Sequence, residues 1–144
     1  PNGKGAEVAM RLALKDAHIT TKDVDYINTH GTSTKMGDVA EVKAILNVFG
    51  EDAYAINLDS TKSMSGHMMG ASGAMEAMVS ILAIRDSIVP PTINHSADDE
   101  DPDIDYRLNF TFNHAQRRDI RYALSNSFGF GGHNACLVFR KIKE

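Results

Sequence analysis

The sequence predicts an α/β fold in which helices cover both faces of a mixed sheet. Strand-like and helix-like segments alternate along the chain, 42% of the 144 residues are hydrophobic, and the strand-like segments end in polar or glycine-rich turns. Such alternation is typical of layered α/β structures. The length suits one buried core, so we expect a single domain over residues 1–144.

The first half of the chain alternates between helix and strand. Apolar residues recur at helical spacing over residues 5–17 and again over 36–49, where Gly50 supplies a stop signal. Between these helices, residues 24–28 are short and rich in strand-forming side chains. A second strand is expected over 53–58, so two strand ends lie next to polar turns.

The second half begins with a segment that is apolar almost all round. Residues 67–85 therefore predict a helix buried inside the protein. The methionines in and before it are expected to fill the core, with the lining of a flexible acyl channel as the alternative; they are Met64, Met68, Met69, Met75 and Met78. Two consecutive prolines end that helix, and residues 92–102 are expected to form a loop. Residues 122–126 and 135–139 predict two more strands, joined by a glycine-rich turn.

Composition argues against several classes of partner. The net charge of -4 gives no reason to expect nucleic acid, and no apolar stretch approaches the roughly 20 residues of a membrane helix. The acidic run at 98–105 and the arginines at 117, 118 and 121 are expected to be solvated. A single cysteine and the absence of a signal-peptide pattern favour a cytoplasmic location.

Three segments concentrate the polar chemistry of the chain. They are residues 29–34 (THGTST), 60–67 (STKSMSGH) and 126–134 (NSFGFGGHN). Each follows a predicted strand, and ligands of open α/β sheets gather at strand ends. The six histidines show no zinc-protease spacing, so a zinc site is not expected.

In this order and with similar separations, the three segments resemble motifs of the β-ketoacyl-acyl-carrier-protein synthases, within the thiolase-like fold. The resemblance runs from about Gly3 to Lys141 and includes residues 89–94 (VPPTIN). It implies the second of two similar halves, beginning after that half's first strand. The nucleophilic cysteine belongs to the first half, so we expect the isolated chain to be inactive, with Cys136 as a core residue.

Within the family, the elongating type II synthases of fatty acid synthesis resemble the chain best. The resemblance implies a decarboxylative Claisen condensation, in which a malonyl thioester loses CO2 and the resulting enolate attacks an acyl thioester. His30 and His67 would donate N–H bonds to the enolate oxygen. Lys62 would keep an imidazole neutral. A buried lysine needs a compensating acid, for which the candidates are Glu76, Asp38 and Glu41.

The resemblance also assigns substrate contacts. Thr32 and Thr34 would bind the pantetheine arm of the acyl carrier protein, and turn formation is their alternative role. Phe130 would act as a gate whose backbone N–H helps to bind an oxyanion, while Phe128 packs. His133 departs from the family pattern, which has threonine there, and this leaves the hydrogen bonding of the glycine turn open.

No cofactor is expected, because pantetheine arrives on the acyl carrier protein. The expected partners are that carrier protein, the protein's own N-terminal half and, in the full-length enzyme, a second copy in a homodimer. No metal is required for the reaction. In the family an alkali cation can sit behind the pocket, and its neighbours here would be Asn28, Glu76 and Ser125.

Two other functions remain open from the sequence. One is a non-catalytic partner subunit of the chain-length-factor kind, and the other is a polyketide ketosynthase. The presence of His30, His67 and Lys62 favours an enzyme, because a structural subunit has no physical need for paired enolate donors.

Overall fold

The computed structural model of the protein describes residues 3–142 and has a four-stranded sheet at its centre. The strands of this sheet are β1 (Tyr26–Asn28), β2 (Asn57–Asp59), β5 (Tyr122–Phe128) and β6 (Asn134–Arg140). The strand order is β2-β1-β5-β6; β1 runs parallel to both neighbours, while β6 is antiparallel to β5. The carboxyl ends of β1, β2 and β5 therefore meet at one edge.

Helices lie on both faces of the sheet, which confirms the predicted fold class. On one face, α1 and α2 pack with Ile27, Leu58 and Leu124 in the larger core cluster. On the other face, α4 contributes to a smaller cluster with Tyr26 and Ala123. Side chains alternate along a strand, so neighbours such as Tyr26 and Ile27 enter different layers. The helices are α1 (Lys4–Asp16), α2 (Lys35–Phe49), α3 (Lys62–Ser65) and α4 (Ser72–Asp86).

The predicted strand at residues 53–58 was misplaced. Gly50–Ala55 forms a 3-10 helix, and the strand begins at Asn57. Its register is set by pairing with β1, where Tyr26 lies opposite Asn57. This long-range contact cannot be read from local propensity.

The predicted helix at 67–85 was wrong at its start and in its burial. Residues Met69–Ala71 form a 3-10 turn, and α4 begins only at Ser72. The outer face of α4 is open, with Met78 54%, Ile81 50% and Leu82 44% exposed. A small antiparallel pair, β3 (Ile88–Val89) with β4 (Gln116–Arg117), was not predicted.

Among residues 3–142, no helix combines the length and apolar character needed to cross a membrane.

Candidate active site

His30 lies directly after β1, in a turn held by a buried carboxylate on α2. The backbone N–H groups of His30 and Gly31 donate to the two Glu41 oxygens, each at 2.9 Å. Asn126 on β5 donates to the same carboxylate at 3.2 Å. Burial raises the pKa of Glu41, and the N–H donors of Gly31, His30 and Asn126 oppose that increase. Glu41 thus holds the His30 turn by two contacts, and Asn126 holds Glu41 by a third.

Gly31 lets the turns after β1 and β2 touch. Its φ is +36°, and a Cβ there would lie 2.7 Å from both Ser60 Cβ and Thr29 Oγ1. The Ser60 hydroxyl donates to the Gly31 carbonyl at 2.6 Å. Any larger residue at position 31 would therefore push the two turns apart.

His67 lies between α3 and α4, and its ring is oriented by the start of α4. The Met69 backbone N–H donates to His67 Nδ1 at 3.0 Å, and Ser72 Oγ lies 3.2 Å from the same nitrogen. Ser72 Oγ also accepts the Met68 N–H at 2.8 Å. A neutral His67 that accepts at Nδ1 carries its proton on Nε2. The free side of the ring is therefore a hydrogen-bond donor.

The imidazoles of His30 and His67, from separate turns, lie edge to face. The ring centroids of His30 and His67 are 5.6 Å apart with an interplanar angle of 87°. Burial lowers the pKa of His30 to about 4, with further contributions from Lys62 and His67. His30 is therefore neutral at physiological pH. The arrangement brings the two imidazoles together.

Lys62 forms a buried ion pair with Glu76 on α4, and both side chains are almost fully enclosed. Burial raises the pKa of Glu76, and Lys62 opposes the increase. The other two acids considered for this role contact different groups. Glu41 binds the His30 turn. Burial raises the pKa of Asp38, and the backbone N–H groups of Ser33, Thr32 and Thr34 partly oppose that increase.

A cleft of about 690 Å³ opens beside the histidine turns. Gly31, Thr32, Thr34, Lys62 and His67 contribute to its wall. The Thr32 and Thr34 hydroxyl oxygens are 3.1 Å apart, so both lie on the same side of the turn. These hydroxyls are placed where a polar chain entering the cleft could contact them.

The glycine-rich turn after β5 places its two phenylalanines differently. Phe128 packs 5.7 Å from the His30 ring, between centroids. Phe130 is 95% exposed. The His133 carbonyl accepts the Gly129 N–H at 2.7 Å, which closes the turn through the backbone. The His133 side chain is exposed, so this closure does not depend on its ring.

The three candidates for a cation site lie between the sheet and α4. Asn28 is opposite Ser125 in the sheet register, and both are buried. Asn28 Oδ1 and Glu76 Oε2 are buried and have no hydrogen-bond partner within residues 3–142. Oxygens are the ligands that hard cations prefer. Within the same residues no cluster of three or more His, Cys, Asp or Glu side chains could hold a metal ion.

Cys136 is a half-buried residue of β6 that packs against the larger core cluster. Burial raises the pKa of its thiol to about 12, with a smaller contribution from Glu41. A thiol with such a pKa is a poor nucleophile at neutral pH.

Several methionines predicted to fill the core are exposed instead. Met64, Met68, Met69 and Met78 are between 40% and 70% exposed. Two of the predicted solvated arginines bind an acid: Arg118 and Arg121 both pair with Asp25.

Sequence reasoning missed residues that support the site from behind. Asn126 holds Glu41, Ser60 closes the Gly31 turn, and Ser72 contacts His67. Ser72 carried a signal, because serine is favoured at the start of a helix. Asn126 and Ser60 carried none beyond their places in polar motifs.

Comparison with known proteins gives one family. Residues 1–96 match the family described as Beta-ketoacyl synthase, C-terminal domain. The 3-oxoacyl-[acyl-carrier-protein] synthase 2 of Staphylococcus aureus is 53% identical over 143 residues, covering 99% of this chain and 34% of that protein. The enzyme of the same name from Vibrio harveyi is 47% identical over 144 residues, with the same coverage. The chain spans about a third of the length of these relatives.

Solved structures show the same fold. A type II polyketide synthase acyl-carrier protein in complex with its ketosynthase, bound to the hexaketide, matches with a TM-score of 0.92 and 37% identity, covering 99% of this chain and 34% of that chain. A beta-ketoacyl synthase from Burkholderia phymatum STM815 matches with a TM-score of 0.90 and 38% identity over the same shares. The resemblance inferred from the three motifs is confirmed, and the chain belongs to the β-ketoacyl synthase family, matching its C-terminal domain.

Proposed function

We propose that this chain is the C-terminal, histidine-bearing part of an elongating 3-oxoacyl-acyl-carrier-protein synthase. The reaction is the decarboxylative condensation of malonyl-acyl carrier protein with an acyl group held as an enzyme thioester. The observation that carries the proposal is the pairing of His30 and His67, 5.6 Å apart and backed by the buried Lys62–Glu76 pair. Loss of CO2 leaves an enolate, whose oxygen needs hydrogen-bond donors in a site shielded from water.

The distance between the two rings supports a shared oxygen. An oxygen about 2.9 Å from a ring nitrogen lies about 4 Å from that ring's centroid. Because the two centroids are 5.6 Å apart, there are points that lie about 4 Å from both of them. His67 offers its Nε2–H because Nδ1 accepts the Met69 N–H, and His30 is neutral because burial lowers its pKa to about 4. Lys62 favours the neutral form of His30 by raising the cost of a second positive charge.

Substrate delivery follows from the cleft beside the rings. The pantetheine arm of an acyl carrier protein would contact Thr32 and Thr34 and carry the malonyl thioester to the histidines. Phe130, exposed on the glycine-rich turn, would gate the entrance, and its backbone N–H would donate a hydrogen bond to the oxyanion of the condensation step. No cofactor is proposed, and an alkali cation near Asn28, Glu76 and Ser125 would have a structural role.

The nucleophile would come from an N-terminal part that the related enzymes carry. The thiol of Cys136 is unsuited to hold the acyl group, because burial raises its pKa to about 12. Exposed apolar residues support a missing contact: Met68 and Met69, next to His67 in the chain, are 40% and 70% exposed, and Phe130 on the glycine-rich turn is 95% exposed. Apolar surface of this kind marks a protein interface. We propose that the complete synthase is a cytoplasmic homodimer.

A non-catalytic chain-length-factor role is the second candidate, and one structural relative is described as a ketosynthase/chain length factor. Its TM-score is 0.91 at 40% identity, so the fold alone does not separate the two functions. The paired imidazoles of His30 and His67 favour the enzyme, because a structural subunit gains nothing from them.

The test uses the complete synthase, meaning this chain preceded by an N-terminal part like that of its relatives. CO2 release from malonyl-acyl carrier protein is measured for His30→Ala and His67→Ala. Each variant should be slower by about 10²–10³-fold, the usual cost of one oxyanion donor. His114→Ala, which changes an exposed histidine outside the cleft, is the control and should match the unmodified enzyme.

Near-normal CO2 release from both variants would refute the role given to the histidines. The isolated chain, mixed with acyl and malonyl carrier proteins, should form no condensation product. Detectable 3-oxoacyl product from the isolated chain would show that the nucleophile lies within it.

A further inference from the structure

A second buried polar network lies beneath the histidine turns, between the sheet and α4. It consists of the side chains of Tyr26, Asn28, Asp59 and Thr61, each no more than 8% exposed and three of them at most 1%. None of them contacts His30 or His67 directly by a hydrogen bond in the described chain. The network nevertheless joins the strand ends from which the site residues extend.

The network has a fixed direction. The single hydroxyl hydrogen of Tyr26 is donated to Asp59 Oδ1 at 2.7 Å. The Tyr26 oxygen can then only accept, and it does so from Asn28 Nδ2 at 3.1 Å. The same amide nitrogen donates its second hydrogen to Thr61 Oγ1 at 3.2 Å. Asp59 therefore determines which way the Asn28 amide faces.

The same residues hold the two strand ends at backbone level. The main-chain carbonyl of Asp59 accepts both the N–H of Thr29, at 2.8 Å, and its hydroxyl, at 2.7 Å. Thr29 precedes His30, and Thr61 precedes Lys62. The distance between the His30 turn and the Lys62 turn is thus set by the contacts of Thr29, one residue before His30, and of Thr61, one residue before Lys62.

We infer that Asp59 is a positioning residue of the condensation site: through Tyr26 and Asn28 it fixes Thr61, and with it Lys62, relative to His30. Without an acceptor at position 59, the Tyr26 hydroxyl turns to its remaining neighbour, Asn28. The Asn28 amide must then offer Oδ1 to Tyr26, and Asn28 Nδ2 no longer donates to Thr61 Oγ1. Buried networks of this kind act as a unit, so one lost acceptor disturbs the whole chain of bonds.

This inference rests on the proposed function, and its test uses the complete synthase. Tyr26→Phe and Asp59→Leu should each lower kcat for CO2 release by about tenfold or more. KM for malonyl-acyl carrier protein should stay within about twofold, because Tyr26 and Asp59 are at most 1% exposed, although Asp59 lies in the wall of the cleft. The double variant should be no slower than the slower single variant, since both break one chain of bonds. Asp59→Asn keeps an acceptor oxygen and should stay within about threefold of the unmodified kcat.

A matched control lies elsewhere in the chain. Tyr54 also donates its hydroxyl to an aspartate, Asp105, at 2.8 Å, and neither residue lines the cleft. Tyr54→Phe should leave kcat unchanged. The inference is overturned if Tyr26→Phe keeps its full kcat, if Asp59→Asn is as slow as Asp59→Leu, or if Tyr54→Phe is as slow as Tyr26→Phe.

Imidazole ¹⁵N spectra separate this inference from the proposed function. The signals of His30 and His67, assigned from the two alanine variants, should shift in Tyr26→Phe and Asp59→Leu and stay in place in Tyr54→Phe. Unchanged signals in the first two variants would overturn the positioning role. An unmodified synthase that releases no CO2 would refute the proposed function, while the spectra would still decide the role of Asp59.

Discussion

The Lys62–Glu76 pair offers a test in which single and double substitutions should behave oppositely. The side chains of Lys62 and Glu76 are only 6% and 3% exposed. Lys62→Met leaves a buried carboxylate without its cation, and loss of one partner of a buried pair costs about 3–5 kcal/mol of unfolding free energy. Glu76→Leu should cost a similar amount. In the double variant no charge remains buried, so its stability should lie within about 1 kcal/mol of the unmodified protein.

The measurement is urea unfolding of the complete synthase, followed by circular dichroism. The coupling between the two substitutions should reach several kcal/mol, because the double variant recovers what each single variant loses. Arg85→Met is the control. The Arg85–Asp86 pair is exposed, at 67% and 47%, and such surface pairs contribute little to stability because solvent screens them. Single-variant losses that simply add in the double variant would refute the reasoning.

The pH dependence of Lys62→Met gives a second readout of the same perturbation. Burial raises the pKa of Glu76 above its ordinary 4.5, and removal of Lys62 raises it further. A carboxyl whose pKa is higher in the folded state stabilises that state at low pH and ceases to do so as pH rises. The Lys62→Met protein should therefore approach unmodified stability near pH 4.5 and lose it progressively above. A pH-independent loss would contradict this account.

Three further predictions concern the histidine turns. Gly31→Ala places a Cβ 2.7 Å from neighbouring atoms, so it should lower the free energy of unfolding by about 1–3 kcal/mol and abolish most of the CO2 release. Gly50→Ala is the control, because no atom lies within 4 Å of its Cβ. In the same unfolding measurement it should lose only the free energy of its backbone strain. In Glu41→Gln, the side-chain N–H group would face one of the two backbone N–H groups, of His30 and Gly31, that now donate to Glu41. The lost hydrogen bond disturbs the His30 turn, so CO2 release should fall by about 5- to 150-fold, the equivalent of about 1–3 kcal/mol. Binding of acyl carrier protein should stay unchanged. Burial is the main reason that the pKa of His30 is about 4, and Lys62 lowers it further. In Lys62→Met, the pKa of His30 should therefore rise above about 4, and the acidic limb of the pH–rate profile should move to higher pH. An unmoved limb would mean that Lys62 does not act on His30.

Hydrophobic periodicity located most of the helices and strands. The helix at Lys35–Phe49 begins one residue before its predicted start and ends where predicted, because Gly50 follows it. The strand at Asn57–Asp59 was misplaced because its register depends on β1, which is distant in the chain. The start of α4 was also misplaced, because contacts of Ser72 with Met68 and His67 hold the preceding residues out of the helix.

By itself, the sequence determined the alternation of helices and strands, the three polar turns and the family that they indicate, since these depend on local spacing and on residue type. Only the tertiary structure decided which groups meet. The sheet order brings the turns after β1, β2 and β5 to one edge, and this placed Glu76, and neither Asp38 nor Glu41, against Lys62. It also revealed Asp59 beneath the site. Partners so far apart in the chain are selected by packing and burial, which no local pattern encodes.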